Sequence, residues 1–284
     1  MGMKIECGKE NLKPGNIYQY LKYKLNFRKE HPNYFDADGL LCFIGPQGSG
    51  KTLSAVNYTY KLLDMYQNAK LCTNILLKDY PIVTFEDFKD KYSYLMKLLE
   101  QRHIEEDIIN EVMYSHYLRQ NKVFPFNDND DFQKYSNGEE GVIFFVDEIQ
   151  LYLNSLESKN INMDTMTQIS QQRKQRKHII GTSQVFGRMA KPLREQFSNV
   201  VVCKNYFGFF QSNSLVDRDS LDTESSSDTQ IAGKIKKKFL WFHHPQMYKR
   251  YDTYYVIQKG KFTSGENQKE GVYDVGRIKL SIDH

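Results

Sequence analysis

No C-x-x-C pair occurs in this chain. Its four cysteines, Cys7, Cys42, Cys72 and Cys203, stand far apart, and three of them fall inside apolar, strand-like runs. That spacing argues against a zinc site and for buried, reduced thiols. Long hydrophobic runs are missing too. Nowhere do roughly 18 apolar residues follow one another, so no transmembrane helix is predicted. Residues 1–10 lack the apolar core of a secretory signal, which makes a cytoplasmic protein the expectation. A strong charge of one sign is also absent: Lys and Arg number 39 against 35 Asp and Glu, a net +4. Any basic surface must therefore be local. No internal repeat is visible, and the acidic run Asn127-Asp128-Asn129-Asp130-Asp131 lacks the pattern of a calcium-binding EF-hand loop.

What is present is enough apolar sequence, 40% of 284 residues, to bury a sizeable core. One stretch organises the rest. Gly45-Pro46-Gln47-Gly48-Ser49-Gly50-Lys51-Thr52 fits G-x-x-x-x-G-K-[ST], the phosphate-binding P-loop. Leu40 to Ile44 precede it as a strand-length apolar run, and Leu53, Val56, Tyr60 and Leu63 follow at helical spacing. Glycines let backbone N–H groups close on an anion, and the helix N-terminus adds the positive end of its dipole. Residues Gly45 to Leu53 are thus the expected nucleotide cradle. Lys51 reaches the β- and γ-phosphates and Thr52 offers its hydroxyl to Mg²⁺.

Val142 to Val146, the most apolar run, reads as a central parallel strand. It ends in Asp147-Glu148, where an open α/β sheet places its ligands. Asp147 is assigned to Mg²⁺ and Glu148 to the activation of water. The plainer reading, two solvated acids at a strand end, loses weight because the P-loop is present. Gln184 ends a further strand, Ile179 to Gln184, and is the candidate γ-phosphate sensor, set against an ordinary strand-end glutamine. The preceding block Gln171 to His178 is rich in cations. Arg173 is the first choice and Arg176 the second for an arginine finger acting on a neighbouring subunit. A DNA-backbone contact and a solvated helix end remain open beside it. Lys234 to His244 mixes lysines and aromatics, which suits either a nucleic-acid strand or a basic turn into a buried strand. No ligand spacing supports a metal at His243-His244.

The chain divides as follows. Residues 1–39 are an N-terminal extension packed on the core. Residues 40–211 are the P-loop core, with a helical insertion at about 85–140 whose part 122–140 reads as an exposed loop. Residues 162–175 suit a helix. Residues 212–230, rich in Ser and Asp, are expected to be a mobile loop. Residues 231–284 form a β-rich C-terminal extension of the same domain.

Gly45 to Thr52, Cys72-Thr73-Asn74-Ile75, Val142 to Gln150 with Asp147-Glu148, and Arg173 before a strand ending in Gln184 together resemble the zonular-occludens-toxin-type (Zot-like) P-loop ATPases. These belong to the HerA/FtsK group, with viral DNA-packaging and filamentous-phage assembly ATPases. The resemblance spans about residues 40–205. It implies a RecA-like (ASCE-type) α/β fold, a mostly parallel central sheet flanked by helices. It also implies ATP and Mg²⁺ as cofactors, and Lys51, Thr52, Asp147, Glu148, Gln184 and Arg173 in the roles just given. It implies a homo-oligomeric ring, a pentamer or hexamer, acting on DNA, double-stranded in a packaging motor, with a capsid or portal vertex protein as a further partner. The absence of a transmembrane helix departs from the filamentous-phage relatives and favours a soluble motor in the host cytoplasm. The alternatives are an assembly or secretion ATPase that never grips DNA, and a small-molecule kinase.

Overall fold

The computed structural model describes residues 14–37, 39–153, 169–197, 199–222, 230–231 and 233–252. Its frame is an eight-stranded sheet. In chain order the strands are β1 (Leu40–Ile44), β2 (Lys70–Thr73), β3 (Val123–Pro125), β4 (Val142–Val146), β5 (Lys177–Ser183), β6 (Asn199–Tyr206) and β7 (Phe210–Asp217). A small separate pair, β8 (Leu221–Asp222) and β9 (Gln230–Ile231), precedes β10 (Ile235–Phe242). The spatial order of the main sheet is β10-β7-β6-β1-β5-β4-β2-β3. From β6 to β3 every pairing is parallel, and β7 and β10 add antiparallel strands at one edge.

The continuous apolar strands are buried on both sides. Cys42, Ile44, Val142, Phe144 and Val146 face one core layer, and Phe43, Ile143, Phe145 and Ile180 face the other. Helix α2 (Lys51–Met65) fills the second layer with Ala55, Val56, Tyr60 and Leu63. The first layer is closed by α3 (Phe85–Lys91), α4 (Ser93–Gln101) and α5 (Glu106–Gln120), through Phe88, Ile109, Met113 and Tyr117. Those three helices occupy the stretch expected to be helical. Cys42, Cys72 and Cys203 lie on β1, β2 and β6, all fully buried, and Cys7 lies outside the described residues.

Several expectations change. Residues 122–140 are not an exposed loop. Val123 to Pro125 pair with β2 as the sheet's last strand, and Phe124, Phe126, Phe132 and Tyr135 are buried. The polar run folds inward because Asp131, itself buried, accepts hydrogen bonds from the backbone N–H groups of Asn127 and Asp128. Residues 212–217 are not loop. They lie in β7, where Ser212, Asn213 and Ser214 are buried, and residues 223–229 lie outside the described residues. Phe35 anchors the N-terminal extension in the core. Its helix α1 (Pro14–Glu30), however, leaves Ile17, Leu21 and Leu25 more than half exposed rather than packed. Of the helix expected at 162–175 only residues from Ile169 on are described, and the β-prone Tyr251 to Ile257 is described only to Asp252.

Candidate nucleotide-binding site

Strand β1 ends at Ile44 and α2 begins at Lys51, so Gly45 to Gly50 form the turn between strand and helix that the motif requires. Gly50 has φ +76, left-handed backbone, and a Cβ there would lie 2.2 Å from the Gln211 side-chain oxygen. At Gly45 a Cβ would come 2.8 Å from the Cys203 carbonyl. Both glycines are required by close approach. The Ser49 hydroxyl is buried without a hydrogen-bond partner among the described residues, as expected of a loop shaped to take an anion.

Strand β4 ends beside this loop, with only β5 between it and β1. Asp147 is held from three sides. The hydroxyls of Thr52 and Thr182 donate to its Oδ1 at 3.0 and 2.6 Å. Asn74, just past β2, clamps its backbone by accepting from Asp147 N–H at 2.8 Å and donating to Asp147 C=O at 2.9 Å. Burial pushes the Asp147 carboxyl above its ordinary range, the Thr182 and Thr52 hydroxyls pull it back, and Glu148 adds a further upward push. A divalent cation beside it reverses that cost. The donor set fits Mg²⁺: a hydroxyl and a carboxylate oxygen side by side at the mouth of a phosphate loop.

Glu148 has φ +50 and ψ +49, left-handed for a non-glycine residue. Its N–H donates to Thr182 Oγ1 at 2.8 Å. Its carboxylate lies 3.5 Å from Lys51 Nζ and accepts a hydrogen bond from Gln150 Nε2. Lys51 is almost fully buried. Gln184 follows the end of β5 and is exposed. Because Ser183 is level with Ile44 and accepts from Gly45 N–H at 3.3 Å, Gln184 sits at the same sheet edge as the P-loop.

The two arginines lie elsewhere. Arg173 and Arg176 precede β5, at the opposite end of a strand about 20 Å long. Neither reaches this chain's own loop. Arg173 is exposed. Arg176 is left-handed (φ +55) and its guanidinium stacks 3.7 Å over the Tyr34 ring, a structural seat that the sequence reading did not foresee.

The wall beneath the loop has no local sequence pattern that announces it. Gln211, fully buried, donates from Nε2 to Ser49 C=O at 2.9 Å and to Asn213 Oδ1 at 2.8 Å. Asn213 in turn accepts from Ser54 of α2 at 3.3 Å. His243 Nε2 lies 3.1 Å from Gln211 Oε1, and its Nδ1 meets the Tyr248 hydroxyl. Burial lowers the His243 pKa, so the ring is neutral at pH 7 and its Nε2 donates to the glutamine oxygen. His243 is thus a support for the loop.

A glycine loop between β1 and α2, an acidic pair at the end of β4, and an additional strand, β5, between them define a RecA-like P-loop NTPase fold. No family model and no curated protein matches the chain. Solved structures similar to it include the N-terminal domain of zonular occludens toxin from Neisseria meningitidis, at 16% identity and TM-score 0.44 over 76% of this chain and 100% of that one. They also include the genome packaging NTPase B204 from Sulfolobus turreted icosahedral virus 2 in complex with ATP-gammaS, at 10% identity and TM-score 0.43 over 73% and 98%. A third is the flagellar accessory protein FlaH from Methanocaldococcus jannaschii, at 12% identity and TM-score 0.35 over 71% and 84%. The fold class rests on this chain's own strand order and loop geometry, independently of these likenesses. Among the described residues no helix is long and apolar enough to cross a membrane.

Proposed function

We propose that this protein is an ATP-driven DNA translocase, a genome-packaging motor that works as a ring. The observation that carries the reading is Glu148, placed 3.5 Å from the P-loop lysine and next to the carboxylate that Thr52 holds. A P-loop alone retains a nucleotide. A second carboxylate beside the metal-binding one takes the proton of an attacking water. In this reading the backbone of Gly45 to Leu53 and Lys51 hold the phosphates, and Thr52 and Asp147 hold Mg²⁺, which supplies charge neutralisation when bound. Phosphate competes for the Lys51 ammonium and loosens its ion pair with Glu148, leaving that carboxylate to orient water. Gln184 reports the γ-phosphate. Arg173, at the far end of β5, serves a neighbour's site, which makes the working unit a pentamer or hexamer, docked on a capsid or portal vertex protein. The motor part of the reading is supported by the motif set shared with packaging and assembly ATPases.

The test is steady-state ATP hydrolysis with and without DNA, for wild type and Glu148→Gln. DNA is expected to raise turnover several-fold. If it leaves turnover unchanged, the translocase reading fails. A second reading, an assembly ATPase that docks on a protein partner without gripping DNA, is favoured by one feature, the exposed Ile17, Leu21 and Leu25 of α1, four residues apart on one helix face.

A further inference from the structure

The antiparallel edge of the sheet carries no acid over long stretches. Residues 199–216 and 230–251 contain no Asp or Glu, although the whole chain is nearly neutral. The strand register sorts what they do contain. Across β6, β7 and β10, Tyr206, Phe210 and Phe242 form one row, Lys204, Ser212 and Leu240 the next, and Val202, Ser214 and Lys238 the third. All three rows share one face, because neighbouring rows are two residues apart along each strand. At its tip the β6–β7 turn exposes Phe207 (88%) and Phe209, and Phe209 stacks on Phe242 with ring centroids 6.2 Å apart. Lys204 stands exposed one row from these rings and Lys238 exposed two rows away, on either side of the buried Ser212 and Ser214 of β7.

We propose that this face binds a single strand of nucleic acid, its bases on the Phe207, Phe209 and Phe242 rings and its phosphates on Lys204 and Lys238. The inference rests on the translocase reading for its biological sense, and on charge complementarity and ring exposure for its chemistry. Open ring faces accept unstacked bases, which a duplex keeps covered. An amphipathic element lying on a lipid surface segregates rings from charges, whereas here both stand on one face. The face lies across the sheet from the wall beneath the nucleotide loop and is joined to it at the strand ends. His243, which follows β10, holds Gln211, and Gln211 holds the P-loop. The backbone N–H of His243 donates to Phe209 C=O at 2.7 Å, and the Tyr248 hydroxyl lies 3.3 Å from Gly208 C=O. Three consecutive contacts, Phe209 to His243, His243 to Gln211 and Gln211 to Ser49, therefore join the aromatic turn to the P-loop.

Anisotropy of a fluorescent oligo-dT, against a duplex of equal length and at about 50 and about 200 mM salt, tests this. Wild type is expected to prefer the single strand. Lys204→Glu with Lys238→Glu is expected to weaken binding at least tenfold and flatten the salt slope. Phe207→Ala with Phe242→Ala is expected to weaken it by about tenfold or more with the slope kept. Both pairs are exposed, so thermal melting should stay at the wild-type value. The inference is overturned if both variants bind as wild type, if wild type prefers the duplex or binds no DNA, if it binds only phosphatidylserine vesicles, or if the variants lose subunit assembly instead. If oligo-dT binds here yet no DNA raises ATP turnover, the translocase reading falls and the surface stands. If DNA stimulates both variants as it does wild type, the surface falls and the translocase reading stands.

Discussion

Glu148 holds a left-handed conformation that costs a β-carbon-bearing residue about 1–2 kcal/mol. The Thr182 hydroxyl on its N–H and the Lys51 and Gln150 contacts on its carboxylate offset that cost. Such strain aims the side chain at the loop rather than into solvent. Glu148→Gln keeps the shape and removes the base. It is expected to lower kcat at least hundredfold, in line with the ~10²–10⁴ of general-base catalysis, while fluorescent-nucleotide affinity stays within a few-fold. Turnover at the wild-type rate would rule out the base assignment. Gln211→Met keeps the volume beneath Gly50 but loses the bond to Ser49. The loop then loses a hydrogen bond of about 0.5–1.5 kcal/mol, so nucleotide Kd is expected to rise up to about tenfold at little-changed kcat. An unchanged Kd would show that the glutamine only fills space. Sequence could announce Lys51, Asp147 and Glu148 because each stands in a local pattern. It could not announce Gln211, whose partner Ser49 lies 162 residues away. Asn74 and Thr182 stood inside the motif stretches, yet their bonds to Asp147 are visible only once three strands lie side by side.

At the level of elements, β1 and β4 were legible because a strand buried on both faces reads as an unbroken apolar run. β7 was not. Its Gln-Ser-Asn-Ser sequence looks like loop, and it is a strand because those polar side chains find partners in the wall beneath the P-loop. β3 failed for a different reason: three residues are too few to show a period, and the following acidic run bends inward on Asp131. Phe144 tests the element on which the site hangs. Its ring is fully buried against Phe132 at a centroid distance of 5.1 Å. Phe144→Ala is expected to cost about 3–5 kcal/mol, read as a lower urea midpoint. A loss under about 1 kcal/mol would mean that β4 is not the packed centre of the sheet.

For the whole molecule, the decisive geometry is the separation of Arg173 from its own P-loop by the length of β5. A finger so placed has to work between subunits. Lys51→Ala subunits keep the arginine and Arg173→Ala subunits keep the loop. Each alone is expected to be nearly inactive, and mixing them is expected to recover measurable ATP turnover at shared interfaces. Failure to recover any, with mixed oligomers confirmed by sedimentation, would return Arg173 to the role of a surface cation.

The three strand cysteines give the sheet an internal clock. Burial drives the thiols of Cys42 and Cys72 far up and that of Cys203 up to about 12. None of them ionises in the folded state near neutral pH, so each is alkylated only when its strand parts from its neighbours. Labelling rates read by mass spectrometry thus measure how often β1, β2 and β6 open. The backbone at Gly45 passes so near β6 that an added Cβ would lie 2.8 Å from the Cys203 carbonyl, so a nucleotide that tightens the loop is expected to slow Cys203 more than Cys72. The chain carries, without any added probe, a record of which side of the sheet yields first.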